Sequence, residues 1–253
     1  MTGLSNDRRN FIAKSQMTRN KKKADTVSAR MIRGFFAMIL GAALLLNGAL
    51  AITSHITSSG TVASAPSRHE IVFVDMAIQN YGQLLNDLLA NEDGSRQIEV
   101  VVLDGGRNGV DQINEVLAQY PPHEIDAIHL VSHGIDGGVK LGNMWLTGSN
   151  LSAYASQLAS WQDALSAPAD LLIYGCNVAA SKRGQQFLKS LSALTGSNVA
   201  ASVDNTGSRD LGGNWNLEYS VGIVDAASVL GDSGEGQWAG LLGIRISGLA
   251  LRR

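Results

Sequence analysis

Cysteine is almost absent from this chain of 253 residues, which contains only Cys176. A single thiol cannot form an intramolecular disulfide, so an exported form of the chain would have one unpaired thiol. The sequence also lacks CxxC and HExxH spacings, which are typical of zinc sites. It has no internal repeat, and its glycine-rich stretch at 206–214 does not lie between a strand and a helix as a phosphate-binding loop does. These absences argue against a zinc fold, a repeat array and a nucleotide-binding fold.

Excess positive charge is missing from the part of the chain that has a globular pattern. Nine Lys or Arg and two Asp precede Gly34, a net charge of +7, whereas the rest of the chain has 11 basic and 20 acidic residues, a net charge of −9. A nucleic-acid-binding domain is expected to have basic residues on its folded part, interleaved with aromatic residues. We therefore predict no nucleic-acid partner.

The N-terminal part has the order of an export or anchoring signal. Residues 1–33 form a basic cytoplasmic leader, residues 34–52 form an apolar segment without charges, and residues 53–67 form a small, polar linker. Signal-peptidase cleavage after the Ala-Leu-Ala at 49–51 is one alternative, and an uncleaved transmembrane anchor is the other. We expect an exported or membrane-anchored protein, located in the periplasm, at the cell surface or at the inner membrane of a bacterium.

Apolar, β-branched runs alternate with amphipathic helical stretches through residues 68–225. The runs are IVFVD at 71–75, IEVVVLD at 98–104, IDAIHLVS at 125–132 and ADLLIYG at 169–175. Continuous apolar strands separated by helices are typical of a parallel sheet that is covered on both faces. The predicted class is α/β, a three-layer sandwich with a mainly parallel sheet, and residues 226–253 are assigned to a C-terminal tail.

Shorter elements are predicted around these strands. A hairpin is expected to turn at Gly142-Asn143, and a single helix to follow it over 149–165. Short edge strands are expected at 198–204, 215–219 and 222–225.

Two residues with reactive side chains follow neighbouring strands. His133 comes directly after the third strand, and Cys176 directly after the fourth, 43 positions later. Because the carboxyl ends of parallel strands share one edge of the sheet, the two side chains can meet. Cys176 is expected to begin a helix, whose dipole and a neighbouring imidazole would lower the thiol pKa and favour a nucleophilic thiolate. Gly134 and Gly175 let the backbone approach a substrate closely, and free N–H groups there could form an oxyanion hole.

These residues resemble known families. HLVSHG and LLIYGCNVA, with TGSNVAASVDNTG and GGNWNLE, are similar to the bacterial domain of unknown function 4347 over about residues 70–225. The histidine-glycine and glycine-cysteine pairs also resemble the caspase, gingipain and separase clan of cysteine peptidases. The resemblance implies a caspase-like fold, with Cys176 as nucleophile, His133 as general base or acid, and the backbone at Gly134 and Cys176 as oxyanion donors. Relatives usually stand near the start of large secreted or surface proteins.

The leading hypothesis is an exported or membrane-anchored, caspase-like cysteine peptidase module that needs no cofactor and no metal. Its partner would be a polypeptide substrate, either its own chain or an envelope protein, and residues 34–52 would contact the membrane if uncleaved. The alternative is a non-catalytic N-terminal targeting or adhesion module of a surface protein, in which Cys176 is a small buried side chain. The sequence predicts no oligomeric state.

Further polar residues leave other interpretations open. His129 lies four positions before His133, so the two could bind a metal together with an acidic residue. Asp75 and Asp104 end strands at the same edge of the sheet, where they could bind Mg²⁺, shape a pocket for a basic side chain or cap turns. Asp204 could border a pocket. A metal-dependent hydrolase is therefore a third hypothesis.

Overall fold

A computed structural model describes residues 67–90, 96–230 and 238–243 of the protein. The predicted leader at 1–33, the apolar segment at 34–52 and nearly all of the linker lie outside the described residues. Within the described ranges, no helix is long and apolar enough to cross a membrane.

Strands and helices alternate along most of the described chain. The strands and α-helices are β1 (Arg68–Asp75), α1 (Tyr81–Ala90), β2 (Arg96–Leu103), α2 (Gly109–Leu117), β3 (Ile125–Val131), β4 (Gly134–Ile135), β5 (Gly138–Leu141), β6 (Met144–Thr147), α3 (Ala155–Ala159), β7 (Leu165–Tyr174), α4 (Lys182–Thr195), β8 (Asn198–Ala201) and β9 (Tyr219–Val221). Short 3₁₀ turns occupy Leu151–Tyr154, Ser160–Asp163 and Arg209–Leu211.

A mainly parallel sheet organises the part of the chain that the structure describes. Its six strands have the order β2-β1-β3-β7-β8-β9, and every neighbouring pair is parallel except β8 with β9. A small antiparallel sheet, β4-β5-β6, follows β3. Its β5–β6 hairpin turns at Gly142, which has a φ of 61°. The predicted α/β class and the predicted hairpin are confirmed.

Both faces of the central strands are buried, which explains their continuous apolar sequences. Along β1, Ile71 and Phe73 pack in the cluster that includes side chains of α2, α3 and α4. Val72 and Val74 point to the opposite face and pack in the cluster that includes α1. Helices therefore lie on both sides of the sheet, and the fold has three layers.

Helix α1 shares its face of the sheet with residues from the far end of the chain. The same cluster contains Ala226, Val229, Leu230, Trp238 and Leu242, all buried. The Trp238 backbone N–H donates to Asp87 at 2.8 Å, and its ring Nε1 donates to the carbonyl of Gln79 at 2.9 Å. Residues of the stretch predicted as a tail thus pack in the core of the domain.

The structure differs from the prediction at one helix and one edge. Residues 149–165 do not form a single helix, since α3 is flanked by the 3₁₀ turns described above. Asn150 accepts from the Thr147 backbone N–H at 2.8 Å, so its side chain closes the hairpin and does not cap a helix. At the sheet edge, only Tyr219 of the predicted strand at 215–219 is in a strand, and 222–225 form none.

Candidate active site

The loops after β3 and β7 begin side by side at the carboxyl edge of the sheet. The Ser132 N–H donates to the Tyr174 carbonyl at 3.0 Å. A Cβ on Gly134 would lie 2.6 Å from the Gly175 carbonyl carbon and 2.7 Å from the Cys176 carbonyl oxygen, so only glycine fits there. This backbone contact places His133 and Cys176 in adjacent loops.

The Cys176 thiol is buried against the backbone of Thr206. Cys176 is only 2% exposed. Its Sγ accepts from the Thr206 N–H at 3.2 Å and donates to the Thr206 carbonyl at 3.5 Å. Burial raises the pKa of the thiol, and the opposing effect of the Thr206 N–H is smaller. The expected lowering of this pKa is therefore wrong for this state. Helix α4 begins at Lys182 with Ser181 as its cap, so Cys176 precedes the helix and is outside its first turn.

His133 is partly buried and directly precedes Gly134, the residue whose backbone contacts the Cys176 loop. Its Nδ1 is buried and makes no hydrogen bond, and no hydrogen bond joins its ring to Cys176 in the described part of the chain. The Ser132 Oγ and the Thr206 Oγ1 are also buried and unpaired. Buried polar atoms without partners cost free energy, so these unpaired atoms on Ser132, His133 and Thr206, which lie in loops at this edge of the sheet, call for an explanation.

Two backbone N–H groups in these loops point at one carbonyl oxygen. The Gly134 N–H donates to the Leu242 carbonyl at 2.9 Å, and the Cys176 N–H donates to the same oxygen at 3.2 Å. These are the two groups that the sequence analysis assigned as oxyanion donors. A peptide carbonyl of the protein itself therefore lies between them.

Residues 238–243, here called the C-terminal segment, bring this carbonyl to the thiol. The segment runs beside residues 206–208: the Leu242 N–H donates to the Thr206 carbonyl at 2.9 Å, and the Ser208 N–H donates to the Gly240 carbonyl at 2.8 Å. Isolated bridges pair Gly207 with Leu241 and Gly134 with Gly243. Main-chain hydrogen bonds of this kind also hold peptides on receptor proteins.

His129 belongs to a different group of side chains. Its Nε2 lies 3.0 Å from a Glu70 carboxylate oxygen and its Nδ1 lies 3.5 Å from the Tyr174 hydroxyl, so both ring nitrogens are engaged away from His133. Burial lowers the pKa of His129, although Glu70 opposes this shift. In the described residues, no three His, Cys, Asp or Glu side chains are grouped so that they could hold a metal ion.

The two strand-ending aspartates cap turns. Asp75 accepts from the N–H groups of Ala77 and Gly142, both at 2.8 Å, and so ties the β5–β6 hairpin to the end of β1. Asp104 accepts from the Gly106 N–H at 2.8 Å. Turn capping, one of the interpretations of these residues, is confirmed. Asp204 is exposed, and its carbonyl accepts from the N–H of the residue after Cys176 at 2.6 Å.

Thr206 and Leu242 are site residues that the sequence analysis did not identify. Leu242 was assigned to a tail, although the apolar residues at 226–230 and 238–242 already indicated a further packed segment. Thr206 contributes its backbone to the site, and its side chain gives no signal in the sequence.

The fold and the residues at the carboxyl edge of its sheet define a class of protein: an α/β domain with one thiol beside two converging backbone N–H groups. The chain belongs to the family described as "Domain of unknown function (DUF4347)", whose model matches residues 71–242. The resemblance to domain 4347 is thereby confirmed, and the match extends beyond residue 225 to Leu242. A comparison with curated proteins finds no match.

Proposed function

We propose that this domain is a cysteine peptidase that uses Cys176 as the nucleophile and His133 as the general acid and base. The observation that carries the proposal is the pair of N–H groups, on Gly134 and Cys176, that meet at 2.9 and 3.2 Å on one peptide carbonyl next to the thiol. Such preorganised donors stabilise the oxyanion that forms during acyl transfer. The likeness of the histidine-glycine and glycine-cysteine pairs to the caspase and gingipain clan adds support.

The chemistry needs two half-reactions. Cys176 Sγ attacks the substrate carbonyl carbon while its proton passes to His133, and the N–H pair holds the developing oxyanion. His133 then gives that proton to the leaving amine as the C–N bond breaks, which leaves a thioester. Water attacks the thioester, His133 accepts its proton, and the acid and the free thiol are released.

The raised thiol pKa fits a site that is closed by its own C-terminal segment. Leu242 is fully buried and packs in the same apolar cluster as Cys176, so the segment contributes to the burial that raises this pKa. Proton transfer to His133 during the attack allows a neutral thiol to react. Displacement of the segment would expose the thiol to water and lower its pKa towards the usual range.

A second candidate is a non-catalytic targeting or adhesion module. It is favoured by the buried thiol with its raised pKa and by the missing hydrogen bond between His133 and Cys176. Cys176 would then be a small core residue. Under either candidate, residues 1–52 would direct the protein to the periplasm, the inner membrane or the cell surface.

Cleavage of a mixed peptide library by the purified full-length protein, kept in mild detergent, tests the proposal. We expect cleavage that is lost in Cys176→Ala and in His133→Asn. The matched control is His123→Asn, because His123 lies at the opposite end of the sheet and its φ of 62° is one that asparagine tolerates. No cleavage by the wild type, with Cys176 unreactive to iodoacetamide until the protein unfolds, would favour the second candidate.

A further inference from the structure

We propose that the peptide bond between Leu242 and Gly243 is a substrate of Cys176, so that the domain cleaves its own chain at this bond. The proposal rests on the proposed peptidase function, because it uses the same thiol and the same N–H pair. It adds the identity of the scissile bond and the side chain that the site recognises.

Backbone hydrogen bonds on both sides fix the register of the bound segment. The Leu242 carbonyl accepts from Gly134 and Cys176, and the Leu242 N–H donates to Thr206 at 2.9 Å. Two residues earlier, the Gly240 carbonyl accepts from Ser208 at 2.8 Å. A shift of the segment by one residue would break these bonds together, so one carbonyl is selected for attack.

The leucine side chain before the bond is the recognised group. Leu242 is 0% exposed and is part of the apolar cluster that contains Cys176. The neighbouring Leu241 is only partly buried; it packs against the outside of that cluster and lies close to Gly213. An apolar pocket of this kind rejects a charged side chain, because the charge would be buried without a partner. Substrates in trans are therefore expected to have leucine, or a side chain of similar size, before the cleaved bond.

Glycine after the bond lets the chain pass across the thiol. A Cβ on Gly243 would lie 3.3 Å from Cys176 Sγ, which is tighter than ordinary contact. Gly243 also forms a bridge with Gly134, the residue that supplies one of the two N–H donors. The bond on the amino side of Gly243 thus has the thiol next to it and its carbonyl oxygen between the donors.

The bond also lies at a boundary. The family match ends at residue 242, so cleavage here separates the matched domain from the residues that follow it.

In the reaction, a bond forms between Cys176 Sγ and the Leu242 carbonyl carbon, and the bond from that carbon to the Gly243 nitrogen breaks. The thiol proton reaches the Gly243 amine through His133. Hydrolysis of the Leu242 thioester by one water leaves a carboxylate on Leu242 and restores the thiol. No oxidant, reductant or cofactor is consumed.

The test follows the intact mass of the purified full-length chain during incubation. We expect a product that ends at Leu242 and a C-terminal product that begins at Gly243 with GIRISGLALRR, both absent from Cys176→Ala. Leu242→Lys and Leu241→Lys form a matched pair: the first should slow cleavage roughly 100-fold or more, and the second less than about tenfold. Gly243→Pro, which leaves Leu242 unchanged, should also block cleavage, and thermal unfolding checks that each variant is folded.

The peptide library run on the same samples separates the two proposals. An intact wild-type chain, or a cut at another bond, overturns self-cleavage at Leu242; if the library is still cleaved in a Cys176-dependent way, the peptidase function stands. An intact chain with no cleavage of the library overturns both.

Discussion

Replacement of Gly134 by alanine tests the packing of the two loops and the function of the N–H pair together. The added methyl would lie 2.6 Å from the Gly175 carbonyl carbon and 2.7 Å both from the Cys176 carbonyl oxygen and from a methyl of Val178. Carbon atoms in contact prefer about 3.5–4.0 Å, so the loops would have to separate by close to 1 Å. The hydrogen bond from Gly134 to Leu242, now 2.9 Å, would then exceed the usual limit for an N–H donor.

We expect two measurable effects of this substitution. The free energy of unfolding should fall by about 1–3 kcal/mol, as in other overpacked sites. The rate of cleavage should fall about 10²–10³-fold, the usual effect of losing one oxyanion donor. Urea unfolding followed by circular dichroism measures the first effect, and mass spectrometry of the cleaved chain or library measures the second.

The control is Gly82→Ala on the exposed side of α1. A Cβ at Gly82 meets nothing within 4 Å, and alanine is the better helix former, so stability should rise by about 0.5–1 kcal/mol and cleavage should not change. If Gly134→Ala has the free energy of unfolding and the cleavage rate of the wild type, the loops are not in the contact described and the N–H pair does not take part in catalysis.

Other predictions concern the thiol, the buried ion pairs and the C-terminal segment. Iodoacetamide should label folded Cys176 slowly at pH 7 and faster as pH rises to 9, because burial raises the pKa of the thiol and less thiolate is present at neutral pH. A fast labelling rate that does not depend on pH would contradict this. Glu70→Gln should lower the free energy of unfolding by about 3–5 kcal/mol, because two arginines and His129 lose a buried carboxylate. Glu115→Gln, which breaks an exposed ion pair, should change the free energy of unfolding far less, and equal effects of the two substitutions in urea unfolding would refute the distinction. The wild-type free energy of unfolding should fall as pH drops below about 6.5, because the pKa of buried His129 is lowered and the unfolded chain then binds a proton that the folded state does not. Thermal unfolding at pH 7.5 and pH 5 checks this. If a His129→Phe variant loses as much stability between the two pH values as the wild type does, His129 is not the cause. Trp238→Ala should lower the free energy of unfolding by about 3–5 kcal/mol and speed alkylation of Cys176, because the C-terminal segment loses the buried ring of Trp238 and its hydrogen bond to Gln79. An unchanged rate of labelling would show that the segment does not shield the thiol.

The central sheet could be predicted because burial on both faces leaves a direct trace in the sequence. Ile71 to Val74 alternate between two apolar layers, so all four are apolar, and the same holds for Leu171 to Tyr174 of β7. The helix at 149–165 could not be placed correctly, because the side chain of Asn150 bonds back to the hairpin and Trp161 bonds to Asn114 on α2. Both contacts are set by tertiary structure and have no local pattern.

The candidate site was predictable only in part. Parallel strands bring their carboxyl ends together, so the positions of His133, Gly134 and Cys176 followed from strand order. The thiol pKa could not be predicted, since it depends on what covers Cys176. That cover includes the Thr206 backbone and Leu242 with its neighbours, which join the site through hydrogen bonds over a long sequence separation.

The late position of the C-terminal segment has a consequence for the newly made chain. All strands of the described sheet have been synthesised once Val221 is added, but the segment at 238–243 follows after an interval on the order of seconds at ordinary elongation rates. During that interval the thiol and the two N–H groups can be assembled while no carbonyl of the protein has yet reached them. Until Leu242 arrives, the N–H groups of Gly134 and Cys176 are therefore free to bind another acceptor, whereas in the completed domain they hold a carbonyl of its own backbone.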